Sequence, residues 1–308
     1  MGRQIASARD GRKYRDIGNG GASGTAPSRK LGTGTILQTD HAQLGIPPDP
    51  YLICTTPRSG SWLLCDGLAA TGIAGTPGEL LTEGSIDLRR NRWETEHSPQ
   101  MTMTDYLNVV RRESITGNGV FGVKLFWADF LSLPRLDGLP ESWENSKATL
   151  KRAFPTCRYI WLTRRDKARQ AISLALAGQT DRWWNFIGPQ PAQLARPAIA
   201  RPTALTFNPV ELLRLEQVLV DWDKQWCRLF AESGIDPLRI DYEDLSADYA
   251  ATILRVLAWL DVTPTDAVAI QPPRMRRQSN GTNEEWLRRF HEWKATDRVA
   301  QLFSVQAL

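Results

Sequence analysis

An apolar run, Tyr51-Leu-Ile-Cys-Thr-Thr56, is continuous rather than alternating, which is the pattern of a parallel strand covered on both faces. Pro57-Arg-Ser-Gly-Ser61 interrupts it, and helical spacing resumes from Trp62 to Thr71, ending at Gly72. Residues 119–126 and 157–163 read as two further strands, with a helix over 165–177 after the second. A long helix opens at Asn208-Pro209, a cap and first-turn pair. Leu212, Leu215, Leu219, Trp222, Trp226 and Leu229 recur on one of its faces, and Gly234 closes it. A short strand over 238–242 and a helix over 247–260 follow. Thr282-Asn-Glu-Glu285 has capping-box spacing and opens a last helix through Trp286 and Phe290. Strands alternating with helices predict an α/β fold, a central parallel sheet flanked by helices. Residues 1–48 carry nine of the 23 glycines and little periodicity, so they read as a basic, Gly-rich, disordered tail before a single domain over 49–308.

Charge changes this picture only once it is located. The chain of 308 residues has a formal net charge of +4, which would suit a nucleic-acid partner. Seven of the 38 Lys+Arg and three of the 34 Asp+Glu fall in 1–48, leaving 31 of each sign in the body. The body is neutral, and no nucleic-acid partner is expected. No run of 18 apolar residues exists, so no membrane-spanning helix is predicted. Cys54, Cys65, Cys157 and Cys227 have neither CxxC pairing nor a neighbouring His, so no metal is expected. Each lies in an apolar stretch and reads as a reduced core thiol. With no secretion-signal pattern at the first residues, the expected compartment is the cytoplasm.

The chemistry concentrates where strands end. A strand, Pro57-Arg-Ser-Gly-Ser61 and a helix place successive N–H groups and a helix N-terminus together, which is an anion site. Gly60 permits close backbone approach, Ser59 and Ser61 offer hydroxyls, and Arg58 a cation. The spacing is not GxxxxGK[ST], which argues against an ordinary P-loop kinase. A plain turn with a solvated Arg is the competing reading. Arg164 and Arg165 stand at the end of the 157–163 strand, with Ser173 in the next helix; Arg164 and Ser173 could grip one phosphate. Arg274-Met-Arg-Arg-Gln-Ser-Asn-Gly-Thr282 is a third basic loop. Together they suggest a ligand with more than one phosphate. Trp161, Trp222, Trp226 and Trp259 fall on apolar patterns and read as core, whereas Trp93, Trp183 and Trp184 could stack on an acceptor.

Thr56-Pro-Arg-Ser-Gly-Ser-Trp-Leu-Leu64 resembles the 5′-phosphosulfate loop of sulfotransferases that use 3′-phosphoadenosine 5′-phosphosulfate (PAPS). Arg58 stands where many members have Lys. Arg164 and Ser173 resemble the pair that holds the 3′-phosphate, and Arg277-Gln278-Ser279-Asn280-Gly281 the loop that closes over it. Gly75-Thr-Pro-Gly-Glu79, the 118–127 segment and Glu285-Trp286 resemble the bacterial trehalose 2-sulfotransferase group within that family. Thr76 replaces a Glu of that group and Pro57 a Gln, and residues 80–99 diverge, so the resemblance implies the donor more specifically than the acceptor.

What the resemblance implies is sulfuryl transfer from PAPS, with no metal, to a hydroxyl of a carbohydrate or glycolipid precursor. A phenolic or other secondary-metabolite hydroxyl is the nearest alternative, and a non-catalytic nucleotide-binding protein the alternative from another class. The implied roles are Glu79 as general base, Arg58 neutralising the 5′-phosphate, and Lys124 as a second electrophile at a strand end. Burial or an adjacent anion is expected to tune Glu79 for that task. Ser59, Gly60, Ser61, Trp62, Arg164, Ser173, Arg277, Gln278, Ser279 and Asn280 would bind the donor, and Pro57, Thr76, Pro77, Glu79 and Trp93 the acceptor. The histidines His41, His97 and His291 fall outside the motifs. The resemblance also implies a homodimer.

Overall fold

The computed structural model describes residues 50–96, 101–188, 204–264, 270–276 and 278–296. Its centre is a four-stranded, wholly parallel sheet in the order β2-β1-β3-β4. The strands are β1 (Tyr51–Thr55), β2 (Gly122–Phe126), β3 (Arg158–Thr163) and β4 (Leu238–Asp241). In sequence order the helices are α1 (Ser61–Ala70), α2 (Glu83–Glu96), α3 (Met103–Ser114), α4 (Trp127–Ser132), α5 (Trp143–Ala153), α6 (Lys167–Thr180), α7 (Pro209–Ser233), α8 (Tyr242–Ala247), α9 (Tyr249–Trp259) and α10 (Gly281–Lys294).

Side chains of a strand alternate between the two faces of its sheet. Leu52 and Cys54 join Val123 and Leu125 in one buried cluster with Tyr106, Phe130 and Trp226. Tyr51 and Ile53 join Ile160, Leu162 and Ile240 in a second with Leu64, Leu68 and Ile253. Both faces are therefore covered, which is why β1 reads as an unbroken apolar run and is wholly buried. The α/β architecture expected from the sequence is the one present.

Several local expectations are corrected. β2 begins at Gly122, not 119, because residues 119–121 form the approach to the strand. The helix read over 247–260 is divided at Asp248, whose carboxylate accepts from the Ala251 N–H at 3.1 Å and caps α9. The last helix starts at Gly281: Asn280 caps it, its Oδ1 accepting from the Thr282 and Asn283 N–H groups at 3.0 and 3.4 Å. Helices α2 to α5 were not read from the sequence, although Thr102 and Asp105 form a reciprocal capping box before α3 that its spacing shows. Cys54 and Cys65 are buried as expected, and burial pushes the Cys65 thiol up to about 12. Cys227 is exposed instead, because its neighbour Trp226 takes the inward position on α7. Residues 1–48, His97 and Arg277 lie outside the described residues.

Candidate functional site

The connection from β1 leads to β2 on one side of the sheet, while that from β3 leads to β4 on the other. Adjacent parallel strands whose connections diverge leave a crevice beyond their carboxyl ends, where open α/β sheets bind ligands. The loop 56–60 follows β1 and Arg164 follows β3, so both predicted anion elements fall at this point.

The loop is fastened on every side. Thr55 donates to the Leu162 carbonyl at 2.7 Å, and its hydroxyl lies 2.6 Å from Ser59 Oγ. Ser59 is wholly buried, so its hydroxyl is turned into the β1–β3 junction rather than toward a ligand. Gly60 has φ +82°, and a Cβ on it would come within 2.9 Å of Tyr242 Cε2. Two separate constraints, the left-handed backbone and the Tyr242 ring, thus require glycine. Gly60→Ala is expected to cost about 1–3 kcal/mol and to displace the loop, checked by urea unfolding alongside nucleotide titration.

Arg58 joins the three predicted basic elements. Its Nε donates to Ser173 Oγ at 2.9 Å, and its Nη groups donate to the Trp183 carbonyl and to Gln278 Oε1. Arg164 donates to the Arg58 carbonyl at 3.3 Å and lies 4.7 Å from the Tyr242 ring centroid. The segment around Arg274 and Met275 is tied down beside it. Met275 and Phe186 form an antiparallel bridge, and Arg274 pairs with the buried Asp66 of α1. Phe186 in turn meets the Trp62 ring edge-on at 6.4 Å.

On the other side of the loop, Lys124 is the middle residue of β2, in register with Ile53, and only 1% exposed. It was expected at the end of the strand. Period two points it toward α1, where its ammonium lies 4.0 Å from the Trp62 ring centroid. Lys124 Nζ donates to Glu79 Oε1 at 2.7 Å and to Ser61 Oγ at 3.4 Å. Trp62 Nε1 donates to the same Glu79 oxygen at 2.9 Å. The carboxylate therefore meets a cation and an N–H donor, where burial or an adjacent anion was expected to tune it. Its side chain keeps 19% exposure, enough to meet a ligand.

The other predicted residues are distributed as follows. Pro57 and Pro77 are buried, and Thr76 is exposed with its N–H on the Ser114 carbonyl at 2.8 Å. Trp93 packs half-buried against the first core cluster. Ser279 Oγ reaches Glu284 at 3.5 Å, and Asn280 serves as the α10 cap. Trp226 is core, and Trp161, Trp222 and Trp259 are only partly buried. Sequence reasoning overlooked Tyr242 and Gln170 as site elements. Tyr242 follows β4 directly, a position that could have flagged it, and Gln170 is a polar residue among Ala168, Ala171 and Ile172 of α6. Among the described residues no cluster of His, Cys, Asp and Glu could hold a metal ion, and no helix is long and apolar enough to cross a membrane.

The fold and the site define an α/β protein with the predicted anion loop at the switch point of a parallel sheet. The Stf0 sulphotransferase family model matches residues 50–293. The chain belongs to that family and is a sulfotransferase. It is 29% identical over 265 residues to the trehalose 2-sulfotransferase of Mycobacterium tuberculosis (strain Erdman), covering 78% of this chain and 94% of that one. It is 26% identical over 270 residues to the Mycolicibacterium smegmatis enzyme of the same name, covering 79% and 94%. Solved structures similar to it are the sulfotransferase domain of the Synechococcus PCC 7002 olefin synthase and the sulfotransferase STF9 of Mycobacterium avium. The first gives a TM-score of 0.42 at 15% identity, covering 77% of this chain and 83% of that one. The second gives 0.41 at 15%, covering 84% and 72%.

Proposed function

We propose that the chain transfers a sulfuryl group from PAPS to a hydroxyl of a carbohydrate or glycolipid precursor, with Glu79 as general base. The observation that carries this reading is the Lys124–Glu79 pair, 2.7 Å apart, whose ammonium also reaches Ser61 at the first turn of the helix behind the anion loop. A proton acceptor and a cation thus stand beside the place where the loop and helix N-terminus favour an anion. The residues fit a donor with two phosphate sites. The N–H groups of the loop and Ser61 suit the 5′ side, Arg164 and Ser173 the 3′ side, and Arg58 connects the two through Ser173.

In this reading the donor supplies the sulfuryl group. The acceptor hydroxyl gives its proton to Glu79 while its oxygen bonds to sulfur, and the bond from sulfur to the 5′-phosphate oxygen breaks. Arg58 and Lys124 offset the charge that appears on that phosphate. The trehalose 2-sulfotransferases are the named relatives, which favours a sugar hydroxyl over a phenol. A cytoplasmic homodimer is the matching proposal for location and assembly. Calorimetry of the full chain with adenosine 3′,5′-bisphosphate, the desulfated donor, tests the reading. Micromolar binding at least about tenfold tighter than ATP is expected; equal affinity for ATP, or no binding, would overturn it. A donor-dependent screen for a mass gain of one SO₃ across sugars, glycolipids and phenols then selects the acceptor.

A further inference from the structure

A line of polar groups that the proposed chemistry does not use runs from α7 through α6 to the anion loop. Lys167 Nζ lies 2.5 Å from Asp223 Oδ2 and donates to Thr163 Oγ1 and Gln170 Oε1, both at 3.1 Å. With Oε1 committed to the ammonium, the other end of the Gln170 amide must face the loop. There Nε2 donates to the Pro57 carbonyl at 2.7 Å and to Thr56 Oγ1 at 2.9 Å. Gln170 is wholly buried, so both of its donor hydrogens and its acceptor are spent inside the protein.

The consequence follows from the planarity of the peptide. In a trans unit the C=O and N–H point in opposite directions. A Pro57 carbonyl held against Gln170 turns the N–H of Arg58 away from α6. Arg58 itself opposes this arrangement, because its φ of +64° is one that a side-chain-bearing residue rarely adopts. Rotating the single 57–58 peptide by half a turn would bring that φ to about −116°, on the negative side that side-chain-bearing residues ordinarily adopt. The same rotation would present a carbonyl oxygen where the loop now offers a donor, and an anion would be repelled.

We propose that Gln170 is a positioning residue that locks the 57–58 peptide with the Arg58 N–H facing the 5′ end of the donor. Lys167 and Asp223 determine which end of the Gln170 amide meets the loop. This rests on the donor reading given above.

The test is calorimetry on the full chain with adenosine 3′,5′-bisphosphate and with adenosine 3′-monophosphate, for the wild type, Gln170→Glu and Gln170→Met. Glutamate keeps the shape of glutamine but sets an oxygen against the Pro57 carbonyl, and so drives the peptide to turn. Methionine merely removes the donor. Affinity for the bisphosphate is expected to fall about tenfold in Gln170→Met and further in Gln170→Glu, while affinity for the 3′-monophosphate changes less than about twofold. A purely structural role would weaken both nucleotides alike. Equal losses for the two nucleotides, no loss in either variant, or failure of both variants to unfold cooperatively would overturn the proposal. A wild type that binds neither nucleotide removes the donor reading itself; a wild type that binds, with variants that bind equally well, removes only this one.

Discussion

Glu79→Gln is expected to lower kcat by about 10²–10⁴-fold while leaving the affinity for adenosine 3′,5′-bisphosphate within about twofold. The amide retains a carbonyl oxygen at the position of Oε1, so Lys124 at 2.7 Å and Trp62 Nε1 at 2.9 Å keep their acceptor. Geometry is preserved and the capacity to take a proton is not. Single-turnover rates with the acceptor identified by the mass screen, set beside calorimetric nucleotide binding, separate the two effects. Turnover within about tenfold of the wild type would remove Glu79 from the proton transfer.

Lys124→Met is expected to reduce kcat/KM by about 10²–10³-fold, the scale lost when one preorganised charge-stabilising donor is removed. Methionine fills nearly the same volume against the Trp62 ring, so the change is one of charge rather than packing. Glu79 loses its cation but remains partly exposed, so water can solvate the carboxylate and the fold should survive. The two side chains share one contact, and their effects should not add. The double variant Lys124→Met/Glu79→Gln is expected to be no more than about tenfold slower than the slower single variant. A kinetic double-mutant cycle measures this. Additive losses would mean that the ammonium and the carboxylate act independently.

The loop and its charges were legible in the sequence because they break a strong local pattern. A wholly buried strand leaves no room for Pro57-Arg-Ser-Gly-Ser61 within it, so the turn is unmistakable at the carboxyl end of β1. The long apolar stripe of α7 was equally clear, since Leu212, Leu215, Leu219, Trp226 and Leu229 all face the interior. Helix α2, by contrast, reads Glu83-Gly-Ser-Ile-Asp-Leu-Arg-Arg-Asn-Arg92 before Trp93, with too few apolar positions to announce a helix. Lys124 was misplaced for a different reason. A lysine in an apolar strand reads as a residue near its end, and nothing nearby in sequence shows Trp62, Ser61 and Glu79 waiting above the middle of β2. Cys227 was read as core from its apolar surroundings, although only one side of α7 is covered.

By itself the sequence determined the alternation of strands and helices, the Pro57–Ser61 turn that ends β1, and which charged residues stand near the strand ends. Those features depend on periodicity, on the fixed φ of Pro and on the conformational freedom of Gly, which act over a few residues. Only the tertiary structure decided which of these groups meet. The order β2-β1-β3-β4 brings Arg58 against Ser173, 115 residues on, and Gln278, 220 residues on. It also sets Lys124 beneath Trp62 and Glu79, and Gln170 against the Pro57 carbonyl. Burial removes water as an alternative partner, so each of these polar groups must find one in the protein, and strand order and register determine which one lies within reach.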